Sequence, residues 1–257
     1  MTEGGNPVVE VENPEGPGPF VILCDHASNR IPQQFESSGF DPAMLDLHVA
    51  WDPGALGVAR HVSAALDAPL IWPDASRLLI DCNRALDVTS LIVVETERGP
   101  VNANRDLSAE DRARRVAQIH TPYHAAIDAL LNHRAAAARP TALVAIHSFT
   151  PIFFGQRRPW QICIVFGEDR RLADLLIRDL RADQALTVGI NEPYSPADHV
   201  YYTVEHHAGP RHLPAVMIEL RNDEIADEAG QRAWASRLAK ILLAAERSLA
   251  GVSHEAV

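Results

Sequence analysis

The 257-residue chain carries a single lysine, Lys240, among its 23 basic residues, so a Schiff-base mechanism or a phosphate-cradling P-loop has almost nothing to be built from. Its cysteines are only three, Cys24, Cys82 and Cys163, far apart and without a Cys-x-x-Cys spacing. That odd, scattered set argues against a disulfide framework and reads as reduced packing residues. Positive charge is scarce too: 23 basic against 34 acidic side chains give a formal charge of −11, which leaves no basic excess to neutralise a nucleic-acid backbone or coat an anionic membrane. No stretch reaches the roughly 18 to 20 apolar residues that span a bilayer, and the start lacks the basic-then-apolar order of a secretory signal. The expectation is a cytoplasmic protein acting on a small molecule, with no nucleic-acid or membrane partner. Monomer and homo-oligomer are both compatible with the sequence.

Against these shortages stand an apolar content of 47% and twelve histidines. The first suffices for a core without disulfide or metal staples. Residues 1–18, crowded with Gly, Pro and Glu, read as a flexible leader, which leaves 19–257 as one domain. Continuous apolar runs predict strands at 20–24, 70–72, 78–80, 141–146, 161–166 and 213–220, of the kind covered on both faces. Between them, three- and four-residue apolar spacing predicts helices over 54–66, after a Ser108 cap with a kink at Pro122, over 170–180, and along a closing stripe of Trp234, Leu238, Ile241, Leu242, Ala245 and Leu249. This alternation specifies an α/β three-layer sandwich around a mostly parallel or mixed central sheet. In such sheets ligands bind beyond the carboxyl ends of the strands, so the chemistry is expected there.

Polar residues do gather at those ends. The first strand runs into Asp25-His26-Ala27-Ser28-Asn29-Arg30-Ile31-Pro32, the run at 141–146 ends in His147-Ser148, and the last contains Glu219 before Leu220-Arg221-Asn222-Asp223. A histidine at one strand end is ordinarily just capped by solvent or a carbonyl. Two of them with a glutamate match a metal site: two imidazoles and an oxygen donor leave zinc an open position where water turns acidic near pH 7, and a carboxylate can take its proton. His120-x-x-x-His124 also puts two imidazoles on one helix face, but Pro122 lies between them and no Glu follows the first, so they read as surface or groove residues of an amphipathic helix rather than ligands. A second cluster, Ser76-Arg77 with Asp81-Cys82-Asn83-Arg84, offers guanidinium groups for a substrate carboxylate or an oxyanion. The alternative is structural pairing of Arg77 or Arg84 with Asp74 or Asp81. In Trp51-Asp52-Pro53-Gly54-Ala55, Asp52 is either a helix N-cap or a metal ligand. Tyr201, Tyr202, Thr203 and His207 precede the last strand in a loop that is either a lid over the pocket or a plain surface connection.

Taken in order, these motifs resemble the N-formylglutamate amidohydrolase family over about residues 20–245. The resemblance implies a zinc-carboxypeptidase-like (phosphorylase/hydrolase-like) fold, a divalent metal, Zn2+ first, and hydrolysis of an N-formyl or other N-acyl bond on a small anionic amino acid, N-formylglutamate first among them. Carried onto this chain, it makes His26 and His147 metal ligands, Arg77 the carbonyl-polarising arginine, Asn83 and Arg84 the carboxylate clamp, and Glu219 the proton shuttle. Ser148, Tyr202 and His207 join the substrate-binding set. The wider superfamily has Glu three residues after the first His; this chain has Asn29 there, so the third metal ligand is either Asn29 or Asp52.

Overall fold

Two apolar runs, Ala142–Phe149 and Ala215–Arg221, are buried along their whole length, and they pair in parallel at the centre of a seven-stranded sheet. The computed structural model describes residues 8–255. In chain order the sheet strands are β1 (Val9–Glu12), β2 (Phe20–Leu23), β3 (Leu70–Pro73), β4 (Ala142–Phe149), β5 (Ile162–Val165), β6 (Val188–Ile190) and β7 (Ala215–Arg221). Their spatial order is β1-β3-β2-β4-β7-β5-β6. β1 runs antiparallel to β3 and β5 antiparallel to β7, while the remaining pairs are parallel.

Strand alternation divides the core in two. Ile22, Val144, Ile146, Ile164, Val216 and Ile218 face helices α1 (Ala55–Leu66), α3 (Arg171–Arg181) and α5 (Glu228–Glu255). Val21, Leu23, Leu143, Ala145, Val165 and Met217 face α2 (Thr121–Ala136) and α4 (Tyr202–Ala208) on the other side. The expected three-layer α/β sandwich with a mixed sheet is therefore what forms, because strands buried on both faces need a helix layer on each. No helix among the described residues is long and apolar enough to cross a membrane.

Three local readings differ, and a fourth, the break at Pro122, takes a specific form. The segment expected as a leader is structured from Val9, where β1 joins the sheet edge, while residues 1–7 lie outside the described part of the chain. Leu78–Ile80, expected as a strand, lies in a turn, and its apolar side chains are buried there. Residues 202–208, expected as loop, form α4. At Pro122 the long helix begins its last segment after a wider π turn over Val116–His120, since proline has no N–H to continue the regular ladder.

Arg134 of α2 explains how so glycine-rich an entry segment is held. Its fully buried guanidinium donates to the carbonyls of Gly16 (2.9 Å), Gly18 (2.6 Å) and Pro140 (2.9 Å) and to the Thr141 hydroxyl (2.9 Å). Gly18 itself passes so close to α1 that a Cβ there would sit 2.0 Å from the Leu66 carbonyl oxygen. Arg134→Met leaves those carbonyls unpaired and is expected to cost about 2 kcal/mol or more in urea unfolding; a change below about 0.5 kcal/mol would show that the entry segment does not depend on this anchor.

Candidate active site

The strands deliver their polar residues to one place. His26 follows the end of β2; His147 and Glu219 lie on β4 and β7, directly opposite each other in the parallel register. Both strands run on two residues past them, so these side chains sit inside the carboxyl ends of the strands rather than just beyond. All three line a cavity of about 250 Å3 together with Asp52, Arg77 and Arg84, a size suited to an amino-acid-sized ligand rather than a polymer.

Each imidazole is oriented by a carboxylate behind it. Asp81 Oδ1 lies 2.7 Å from His26 Nε2, and Asp25 Oδ2 lies 2.9 Å from His147 Nε2. Asp25 is fixed in turn by the Tyr123 hydroxyl, which donates to Oδ1 at 3.0 Å. With both Nε2 atoms engaged, the Nδ1 atoms turn inward onto Asp52, whose Oδ2 lies 2.9 Å from His147 Nδ1 and 3.4 Å from His26 Nδ1. A carboxylate on the far nitrogen of a ligating imidazole fixes its tautomer and raises its basicity.

The electrostatics follow from burial. Burial pushes the His147 imidazole towards the neutral form, but the flanking Asp25 and Asp52 outweigh it and hold its pKa well above the usual histidine value. Burial likewise disfavours ionised Asp81, yet His26 and Arg84 keep its carboxyl far below the ordinary range. Glu219 goes the other way: burial lifts it to about 7, with His147 opposing and Asp52 adding to the rise. Its Oε2 is buried without a hydrogen-bond partner.

His26, Asp52 and His147 are the one group among the described residues that brings three histidine or acidic ligand atoms within 4.8 Å of one another. Two imidazoles and one carboxylate, with a further unpartnered carboxylate oxygen beside them, form a donor set that fits a divalent cation with a position left open. The residues present thus fit a divalent cation of the kind expected.

The profile of the N-formylglutamate amidohydrolase family matches residues 18–226. The chain belongs to that family. A crystal structure of a gene product from Agrobacterium tumefaciens is 39% identical, superimposes with a TM-score of 0.92, and is covered over 96% of its length by 95% of this chain. An N-formylglutamate amidohydrolase from Ralstonia eutropha is 20% identical, with a TM-score of 0.73 over 95% of this chain and 98% of that one, and supports the fold. No curated protein is significantly similar.

Within this family member, the two candidates for the third ligand separate. Asp52 does not cap α1, whose N-cap is Gly54, and its carboxylate faces the imidazoles. Asn29 does not line the cavity, and its amide donates to the Leu45 carbonyl at 3.0 Å. Arg77 pairs with Asp52 (Nη1 to Oδ1, 3.0 Å) and not with Asp74, which instead accepts from Arg30. Arg77 also contacts His48, another cavity residue, whose Nε2 lies 2.7 Å from the Ser148 carbonyl. Ser148 lines the cavity, with its hydroxyl on the Pro53 carbonyl.

The clamp residues divide. Arg84 lines the cavity with its Nη1 on the carbonyls of Asn83 and His199 and its Nε buried without a partner. Asn83, expected to bind substrate, spends its amide on the protein: Nδ2 donates to the Val200 carbonyl and Oδ1 accepts from Thr203 N. His120 and His124, expected as surface or groove residues, hold the same segment from below, at 2.9 Å from the Arg84 carbonyl and 3.0 Å from the Cys82 carbonyl.

Tyr202 and His207 do not line the cavity. His207 is fully buried in α4 between His124 (2.8 Å) and Asp128 (3.0 Å), because the spacing of Val204, His207 and Ala208 puts it on the inward face of the helix. Tyr202 packs beside His124 and His206. The residues the sequence reading left without a role in the site are Asp25 and His48; Asp81, expected only as a structural partner of Arg77 or Arg84, does lie 3.9 Å from Arg84 Nη2 and also orients His26. The signal for Asp25 was its place directly before His26 at a strand end.

Asp81→Asn removes the negative charge that orients His26, and is expected to weaken zinc affinity about ten- to a hundredfold in a competitive chelator titration. An affinity equal to the parent's would remove Asp81 from this role.

Proposed function

We propose that this family member hydrolyses the N-formyl, or another short N-acyl, amide of an amino acid, N-formylglutamate first, using a divalent cation held by His26, Asp52 and His147. The observation that carries the reading is the convergence of both inward-facing Nδ1 atoms on Asp52 beside the unpartnered Glu219 oxygen. Zinc is the cation that this nitrogen-and-oxygen set suits, and the buried free cysteines suit a cytoplasmic setting.

When bound, such a cation supplies Lewis acidity that lowers the pKa of water and polarises a carbonyl. The chain's own residues do the rest. Arg84, whose guanidinium forms part of the cavity wall, offers a charge-assisted contact to the substrate carboxylate. Arg77 brings fixed positive charge to the wall of the cavity where the oxyanion develops. Glu219, with a pKa of about 7, takes a proton from the attacking water. It returns that proton to the amide nitrogen as the C–N bond breaks, releasing a free amine and formate or another carboxylate.

The direct test is a screen of formylated and acetylated glutamate and aspartate with zinc and with chelator. Turnover that chelation abolishes and zinc restores is expected; zinc-independent turnover would contradict the metal assignment. Glu219→Gln is expected to retain bound zinc while kcat falls about 10²- to 10⁴-fold; a kcat near the parent's would reject Glu219 as the base. For Arg84→Ala, KM should rise about tenfold or more with kcat little changed, and an unchanged KM would take Arg84 out of the clamp.

A further inference from the structure

Aromatic residues make up only 6% of the chain, yet Phe153, Phe154, Trp160 and Tyr194 line one open cleft beside the catalytic cavity. Cleft and cavity share Arg84, Phe153, Tyr194 and Val200 as a common wall. Arg158 stiffens that wall. Its largely buried guanidinium stacks 4.4 Å from the Phe153 ring centre and 4.9 Å from that of Tyr194, and donates to the Tyr194 hydroxyl at 3.2 Å.

Phe154 is the anomaly. At 73% exposure it is the most exposed large apolar side chain among the described residues. It also occupies the tight turn between Ile152–Phe153 and Gln156–Arg157 with φ 45°, followed by Gly155 at φ 76°. Consecutive positive φ angles suit Asn-Gly, whereas a bulky residue there strains the backbone. Phe154 therefore costs conformational energy and buries little in return, and such strain tends to collect at functional sites.

Arg84 fixes where a ligand enters. It lines both spaces, so a carboxylate paired with its guanidinium would leave the amide of the same amino acid free to reach Glu219 in the cavity and the side chain free to enter the aromatic cleft. We infer that the cleft receives the side chain of the acylated amino acid and accepts aromatic ones, so that N-formyl aromatic amino acids are substrates alongside N-formylglutamate. This rests on the amidohydrolase reading of the centre.

The test compares kcat/KM of the zinc-loaded protein for N-formylphenylalanine, N-formylalanine, N-formylglutamate and N-benzoylglutamate, in the parent and in Phe154→Ala and Trp160→Ala. The phenylalanine substrate should exceed the alanine one by about tenfold or more, and each substitution should erase most of that ratio while shifting the alanine substrate less than about twofold. Turnover of N-formylglutamate with no preference for phenylalanine over alanine would overturn the inference and leave the amidohydrolase reading standing. So would a preference that survives both substitutions. If N-benzoylglutamate is the substrate that the substitutions impair, the cleft holds the acyl group and the side-chain assignment falls. Failure to hydrolyse any of the four overturns the reading and the inference together.

Discussion

Asp25 and Asp81 are buried carboxylates, and each is kept ionised by the imidazole it faces. An unpaired charge at such depth would cost several kcal/mol, so the pairing is obligatory rather than decorative. It dictates the rest of the site. Once both Nε2 atoms are committed outward, both Nδ1 atoms must face inward, and the inward space is where Asp52, Arg77 and Glu219 meet. A set of two imidazoles and a carboxylate, oriented before any ligand arrives, avoids much of the reorganisation that a looser set would need on binding.

The fold supplies this arrangement through the sheet. β4 and β7 are covered on both faces, which locks His147 and Glu219 into register. The segment 81–84 has no strand to hold it and is fixed by side chains instead: His120, His124 and Thr203 grip its carbonyls, and Asn83 ties it to residues 200 and 203. Loops that carry function need such support when no ladder provides it. The buried His120 and His124 thus hold the backbone that carries Arg84.

Much of this was legible beforehand. Uninterrupted apolar runs announced β2, β4, β5 and β7, and the polar residues at their ends marked His26, His147 and Glu219. β1 was hidden because Val9, Glu10, Val11 and Glu12 alternate on an edge strand set among glycines and prolines. Leu78–Ile80 had the composition of a strand but serves a packed turn. His207 looked like part of a lid or a surface loop, whereas helical spacing carries it into the core. Asp25 went unassigned, and Asp81 was expected only as an arginine's partner, since a carboxylate that orients an imidazole has no period or spacing of its own. The choice between Asn29 and Asp52 needed three dimensions: Asn29 is near His26 in sequence and turned away, while Asp52 is 26 residues on and turned in.

One cation is proposed to bind where His26, Asp52 and His147 converge. Anomalous diffraction at the zinc edge, from crystals of the intact protein grown with zinc, tests it most directly. A single strong peak is expected within bonding distance of His26 Nδ1, His147 Nδ1 and an Asp52 oxygen. A peak ligated by Asn29 or by His120 and His124, or no peak at the centre, would contradict it.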